Sequence, residues 1–168
     1  YVEAFWQWWP ELYPKLQNFR MTGGEPLMDK NTFRVLDYVI DNGRDDLEMA
    51  VTTNASVPDK LWNNFVDKVS FISEYKKLKR FRIFVSVDGW GEQAEYMRHG
   101  LDFDRMWNNV HNYLSRVDEG LVTFIVTFNM LSLPSIQKLL EGILELQRIH
   151  NVTKSRRDAD DNIVVYGH

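Results

Sequence analysis

Apolar positions along this chain switch repeatedly between a period of two and a period near 3.6. Leu47 to Thr53 (Leu-Glu-Met-Ala-Val-Thr-Thr) alternates and predicts a strand; Phe81 to Val87 (Phe-Arg-Ile-Phe-Val-Ser-Val) predicts the clearest one. Leu16 to Met21 reads as a short strand, and Leu121 to Phe128 as an apolar one. Between them lie helical patterns. Phe33, Leu36, Val39 and Ile40 mark a helix from about Lys30 to Asp41, stopped by Asn42-Gly43. Leu61, Phe65, Val69 and Ile72 mark a long helix from Asp59 to about Lys77, with a basic end formed by Lys76, Lys77, Lys79 and Arg80. A helix near Glu92 carries Tyr96, Met97 and Arg98 and breaks at His99-Gly100. Phe103, Met106, Trp107, Val110 and Leu114 define the next, to about Val117. The last opens at Pro134-Ser135 and runs through Leu139, Ile143 and Leu146 to Ile149.

The order is β-α four times, with a fifth strand at Ile163 to Tyr166 after a polar loop or break over 153–162. Such alternation predicts an α/β fold with a parallel sheet and right-handed crossovers. Residues 1–15 form an aromatic-rich helical segment, expected to break near Pro10 and Pro14. Its Trp6, Trp8 and Trp9 favour packing on a core or interface over an aromatic ligand wall.

The length suits one domain with a sizeable core. A net charge of −4 gives no support to non-specific nucleic-acid binding, and no apolar run is long enough to span a membrane. No signal peptide is visible. The chain has no Cys, which excludes disulfides, thiolate metal sites and a Cys nucleophile within it. Its start at Tyr1, inside an aromatic segment, reads as a cut or processed beginning. His99, His111 and His150 show no metal-ligand spacing and read as surface or filler.

Ligands in parallel α/β folds bind at the carboxyl ends of the strands. That edge carries Thr22, Gly23, Gly24, Glu25 and Pro26, then Thr53 and Asn54, then Ser86 and Asp88, then Thr127 and Asn129. Gly-Gly between a strand and a helix lets a ligand approach bare backbone, and Glu25 offers an acceptor for an ammonium group. Arg98, one helix on, could reach back to a carboxylate. Each has a structural reading too. Gly-Gly-Glu-Pro is a tight turn, Asn54 a turn cap, Ser86 a small residue on a buried strand, Asp88 a helix cap, Arg98 a helix-end cation, and Thr127 and Asn129 structural residues of the strand end.

In this order the set resembles the radical S-adenosylmethionine (SAM) superfamily over roughly Phe19 to Val152. The stretch Ser86 to Phe103 is similar to the branch named twitch domain-containing radical SAM proteins. The resemblance implies a partial (β/α)6 TIM-like barrel lacking its first strand and cluster loop, with 1–168 as one incomplete core domain. It implies reductive cleavage of SAM to a 5′-deoxyadenosyl radical that abstracts hydrogen from an unknown substrate, a peptide or a small molecule. Gly23, Gly24 and Glu25 would bind the SAM amino group, mostly through backbone. Ser86 and Arg98 would hold its carboxylate, Asn54 and Asp88 would lie near the ribose, and Thr127 and Asn129 would face adenosine or substrate.

The departure is the absent Cys-x-x-x-Cys-x-x-Cys loop, which in that superfamily holds a [4Fe-4S] cluster. Nothing here replaces its thiolates. Two readings follow: a piece of an enzyme whose cluster ligands lie elsewhere, or a cluster-less, non-catalytic SAM- or nucleotide-binding or protein-interaction module. The oxygen sensitivity of such a cluster and the missing signal point to the cytoplasm. An incomplete barrel would expose a sheet edge, so self-association is also expected.

Overall fold

The computed structural model describes residues 1–153 and 163–167, with side chains through His150. Five strands, β1 (Asn18–Met21), β2 (Arg44–Thr53), β3 (Leu78–Ser86), β4 (Leu121–Val126) and β5 (Ile163–Gly167), form one sheet in sequential order. All pairings are parallel. The helices are α1 (Val2–Leu12), α2 (Lys30–Asp41), α3 (Asp59–Glu74), α4 (Glu92–Met97), α5 (Phe103–Arg116) and α6 (Leu133–Thr153). Sequential order with crossovers of one hand puts the connecting helices on a single face and curls the sheet, the architecture of a partial (β/α) barrel. No helix among the described residues is long and apolar enough to cross a membrane.

The strand alternation separates the two faces. Met49, Val51, Ile83, Val85, Val122 and Phe124 are buried under the helices. Their neighbours Ala50, Thr52, Arg82, Phe84, Ser86 and Ile125 stay partly accessible on the open face. Register aligns the open face into rows, Arg20 with Ala50 and Arg82, and Thr52 with Phe84 and Thr123.

The aromatic N-terminus is core. Trp9 is 1% exposed and packs on Phe19 of β1 and Tyr38 of α2. The Trp6 indole donates to Asn31 Oδ1, and only Trp8 of the three projects outward. The expected break at Pro10 does not occur. Helix α1 runs through it to Leu12, and Pro14 falls in a 3-10 turn, Tyr13–Lys15. Pro10 leaves the Trp6 carbonyl without its usual donor, and burial of Trp9 and Tyr13 on either side offsets that loss.

Other boundaries also move. Helix α3 stops at Glu74 rather than Lys77, in a Schellman motif: the Lys77 amide donates to Ile72 O, that of Lys76 to Ser73 O, and Lys76 takes φ 50°. Lys79 and Arg80 therefore lie on β3, not at a helix end, and Lys79 pairs with Glu48 at 2.8 Å. Strand β2 begins at Arg44, whose amide donates to Lys77 O. Strand β4 ends at Val126 because the Thr127 amide leaves the ladder for Asp88. Thr153 closes α6, and the rest of the stretch expected as a polar loop, 154–162, lies outside the described residues.

Helix α6 docks through glycine. A Cβ on Gly142 would meet the Trp90 ring at 2.2 Å, and Trp90 is itself wedged against Phe103 and Trp107. Gly142→Ala is expected to destabilise the chain. Overpacking costs about 1–3 kcal/mol, which exceeds the roughly 0.5–1 kcal/mol that Ala gains over Gly in a helix. Urea denaturation reads the difference, with exposed Leu144→Ala as the near-neutral control.

The histidines divide. His99 is exposed, whereas His111 and His150 are not filler. They join α5 to α6 with 3.2 Å between His111 Nδ1 and His150 Nε2. Burial holds the His111 pKa below its usual 6.5. Below about pH 6.5 the unfolded chain then binds the proton more readily than the folded one, so stability should fall as pH drops through that point. His111→Gln should flatten this part of the profile, measured as urea midpoints from pH 7.5 to 5.

Candidate functional site

Local sequence builds the strand-end rim. After β1 the chain turns at Gly23 (φ 97°) and Gly24 (φ 55°), conformations that glycine adopts freely. A Cβ on either would meet no atom within 4 Å, so the space beside the turn is open. Among the described residues, the backbone groups of Gly23 and Gly24 have no protein hydrogen-bond partner. Pro26, with its fixed φ, opens a 3-10 turn, Pro26–Met28, and Asp29 caps α2 by accepting from the Asn31 amide.

Glu25 does something different from holding an ammonium group. Its Oε1 accepts from the Thr53 hydroxyl at 2.7 Å and from the Leu27 amide at 3.1 Å, and its Oε2 accepts from the Asn54 amide at 2.8 Å. A carboxylate has about four acceptor sites, and three are used here to tie the Gly-Gly turn to the end of β2. Thr53, read from sequence only as part of the strand end, completes the brace; its hydroxyl also accepts from the Ala55 amide.

Asp88 repeats the device one strand on. Its Oδ2 accepts from Arg98 Nε at 2.7 Å, and its Oδ1 accepts from the Thr127 amide at 2.8 Å. Helix α4 starts instead at Gly91 without a side-chain cap, so Asp88 is not the helix cap. Arg98 does reach back to a carboxylate, that of Asp88. The terminal nitrogens of its guanidinium have no protein partner among the described residues, and its side chain is 32% exposed.

The other candidates sort by what their side chains do. Ser86 lies on the open face at the end of β3, and its hydroxyl has no protein partner among the described residues. Asn54 turns its Oδ1 to the Ser56 amide, an Asx turn, and its Nδ2 has no protein partner among the described residues. Thr127 is exposed at the rim. Asn129 is spent on the loop before α6: its Oδ1 accepts from the Leu131 and Ser132 amides, and its Nδ2 donates to Thr127 O. Thr22 is exposed beside Gly23. The rim thus joins Gly23, Gly24, Asn54, Ser86, Arg98 and Thr127 as available groups, with Glu25 and Asp88 as braces and Asn129 outside the set.

Sequence reading passed over the open face beneath the rim. Arg20 crosses β2 to place its guanidinium 3.8 Å from the Phe84 ring centre, with its Nε donating to Thr52 Oγ1 at 2.9 Å. Arg82 Nη1 donates to Thr123 Oγ1 at 3.0 Å, and its guanidinium lies 5.9 Å from the same ring. The signal was there: the alternation in Phe-Arg-Ile-Phe-Val-Ser puts Arg82, Phe84 and Ser86 on one face. Among the described residues, no group of three His, Asp or Glu side chains is placed to hold a metal ion.

Glu25→Ala should cost about 2–4 kcal/mol, since hydrogen bonds to a charged group contribute about 1.5–3 kcal/mol each and the rim remains open to water. Glu25→Gln should cost less, because its amide oxygen still accepts. Urea denaturation gives both values, and the Thr53 and Asn54 amide resonances should move in each variant.

No family model matches the chain, and no curated protein sequence matches it. Among solved structures, the crystal structure of Streptococcus suis SuiB bound to precursor peptide SuiA matches with a TM-score of 0.58 and 16% identity. The match covers 89% of this chain and 38% of that one. The likeness is distant and is one of fold.

Proposed function

We propose that this chain is the core of a radical SAM enzyme, forming one incomplete core domain over residues 1–168, and that its rim binds the methionine end of SAM. The observation that carries the reading is the open Gly23-Gly24 turn facing, across one strand, the free Ser86 hydroxyl and the uncommitted end of Arg98. The distant structural similarity to SuiB, a radical SAM enzyme, supports the same reading.

Strands β1 and β3 are two spacings apart, about 10 Å, with β2 between them. Carbonyls of the Gly-Gly turn would accept from the ammonium. Arg98 would bind the carboxylate through its terminal nitrogens, held in aim by Asp88, and Ser86 would donate to it. The ribose would lie by the Asn54 amide and the adenosine by Thr127. Bound there, SAM would supply a 5′-deoxyadenosyl group for hydrogen abstraction, with the electron for its cleavage having to come from a cluster that these residues do not hold. SuiB is bound to a precursor peptide, and a peptide is the substrate class we infer here.

The [4Fe-4S] cluster does not fit these residues. It needs soft thiolates, and the chain has none. In the enzyme reading the cluster's ligands would have to come from outside these 168 residues. The absence of Cys also favours a second reading, a non-catalytic SAM-binding module on the same rim.

Titration of the ¹⁵N-labelled chain with SAM tests both. Saturable shifts are expected at the Gly23, Gly24 and Ser86 amides. Arg98→Gln should weaken binding about tenfold, near 1.4 kcal/mol, and Gly24→Val should abolish it. Anaerobic incubation with iron and sulfide should leave this chain without cluster. Absence of SAM-dependent shifts at the rim would overturn the SAM site in either reading.

A further inference from the structure

We propose that the open face below the rim is a receptor for a carboxylate side chain of the substrate, so that the peptide bound here carries an acidic residue. This rests on the peptide-modifying reading above and adds the chemistry of its substrate.

The chain as a whole is acidic, with a net charge of −4, yet the middle of its open sheet face is cationic. Arg20 from β1 and Arg82 from β3 stand in one row, separated by Ala50. The small Ala50 leaves room between them. Phe84, one row nearer the rim, takes Arg20 on its ring and has Arg82 within 6 Å. The aromatic face favours a cation electrostatically. Thr52 and Thr123 flank Phe84 in its row, and each accepts one guanidinium N–H. Both arginines are thus oriented before any ligand arrives, which lowers the ordering cost of binding.

Donors remain. Arg20 uses only its Nε and Arg82 one Nη, and among the described residues the other guanidinium N–H groups have no protein partner. Among the described residues the nearest carboxylate on this face, Glu48, is one row farther from the rim; Lys79 engages it at 2.8 Å, and Arg82 attracts it only through space. Two guanidinium forks beside one ring, neither in an ion pair with an acid among the described residues, match a carboxylate, which they can bind in bidentate fashion.

Depth agrees with the site above. Phe84 is two residues below Ser86 and Arg82 is four, about 7 and 13 Å along the strand. A carboxylate anchored at the arginines leaves the adjoining atoms of its peptide in the space between them and the rim, where the SAM reading places the adenosyl group. The acidic remainder of the protein surface disfavours the same peptide elsewhere, so the face supplies selectivity as well as affinity.

The probes are two capped hexapeptides, one alternating Glu and Ala, the other Gln and Ala. Each is titrated into the full ¹⁵N-labelled chain while the arginine Nε–Hε resonances are followed. The Glu peptide is expected to shift Arg20 and Arg82 saturably, the Gln peptide not. Arg20→Gln and Arg82→Gln should each weaken binding at least fivefold, and Phe84→Leu about twofold to fivefold, with unchanged urea midpoints for the exposed Arg20 variant. Arg148, on the far side of α6 and paired with Glu145, should not move. Equal shifts from both peptides, no saturable shift at Arg20 and Arg82, or shifts from inorganic phosphate where the Glu peptide gives none would overturn the proposal. SAM is then added to the same sample. A rim that still responds to SAM after the Glu peptide has failed confines the failure to the acidic substrate, whereas a rim that is also silent removes the SAM reading with it.

Discussion

The rim depends on a carboxylate whose acceptors point into the protein rather than toward a ligand. Glu25 binds the Thr53 hydroxyl and the Leu27 and Asn54 amides. A Gly-Gly turn with two positive φ values has the highest conformational freedom of any dipeptide in the unfolded chain. Something must hold it once folded, and bulky neighbours would close the space a ligand needs. A side chain that reaches from just past the turn to the next strand end fixes the backbone without covering it. Asp88 performs the same task between β3 and β4, with Arg98 and the Thr127 amide as its partners. Both carboxylates convert neighbouring strand ends into one rigid edge, and rigidity is what hydrogen-bonding groups need to be complementary to a ligand before it binds.

The sheet divides its labour by face. Under the helices it is aliphatic and aromatic with almost no solvent access, which carries the stability. On the open face the same strands carry Arg20, Thr52, Arg82, Phe84 and Ser86. A sheet that needed only to fold would place fewer long cations on partners as specific as a ring and two hydroxyls. Docking of α6 shows the opposite economy: Gly142 lets Trp90 approach the helix backbone, and packing alone accounts for the contact.

Much of this was legible in the sequence, for definable reasons. Period-two and period-3.6 patterns each report a half-buried surface, so strands and helices were found, and their alternation gave a parallel sheet. The strand ends were legible because polar residues at four successive ends stand out against apolar strands. Boundaries were less so. The end of α3 was hidden because Lys76, not Gly, takes the left-handed position of its Schellman motif. Pro10 was read as a breaker because its cost is local and evident, while the burial that offsets it comes from Phe19 and Tyr38, distant in sequence. Roles were least legible. Whether Glu25, Asp88 or Asn129 offers its oxygens to a ligand or to the chain depends on which amides the fold brings near, and no spacing rule states that.

That distinction bears on how the resemblance carries function. A motif can persist for its braces alone, since Glu25 and Asp88 stabilise adjacent strand ends whether or not anything binds above them. The presence of Gly-Gly-Glu-Pro and of the Asp88–Arg98 pair is therefore accounted for by folding and does not by itself argue for catalysis. The groups that fold stability leaves idle say more: the bare backbone of Gly23 and Gly24, the Ser86 hydroxyl and the outer edge of Arg98 contribute no internal hydrogen bond among the described residues. Gly23 and Gly24 are exposed and Ser86 and Arg98 partly so, which leaves these groups accessible to a ligand that would bring an ammonium to one strand end and a carboxylate to another. The proposal of an amino-acid-bearing ligand rests on those idle groups.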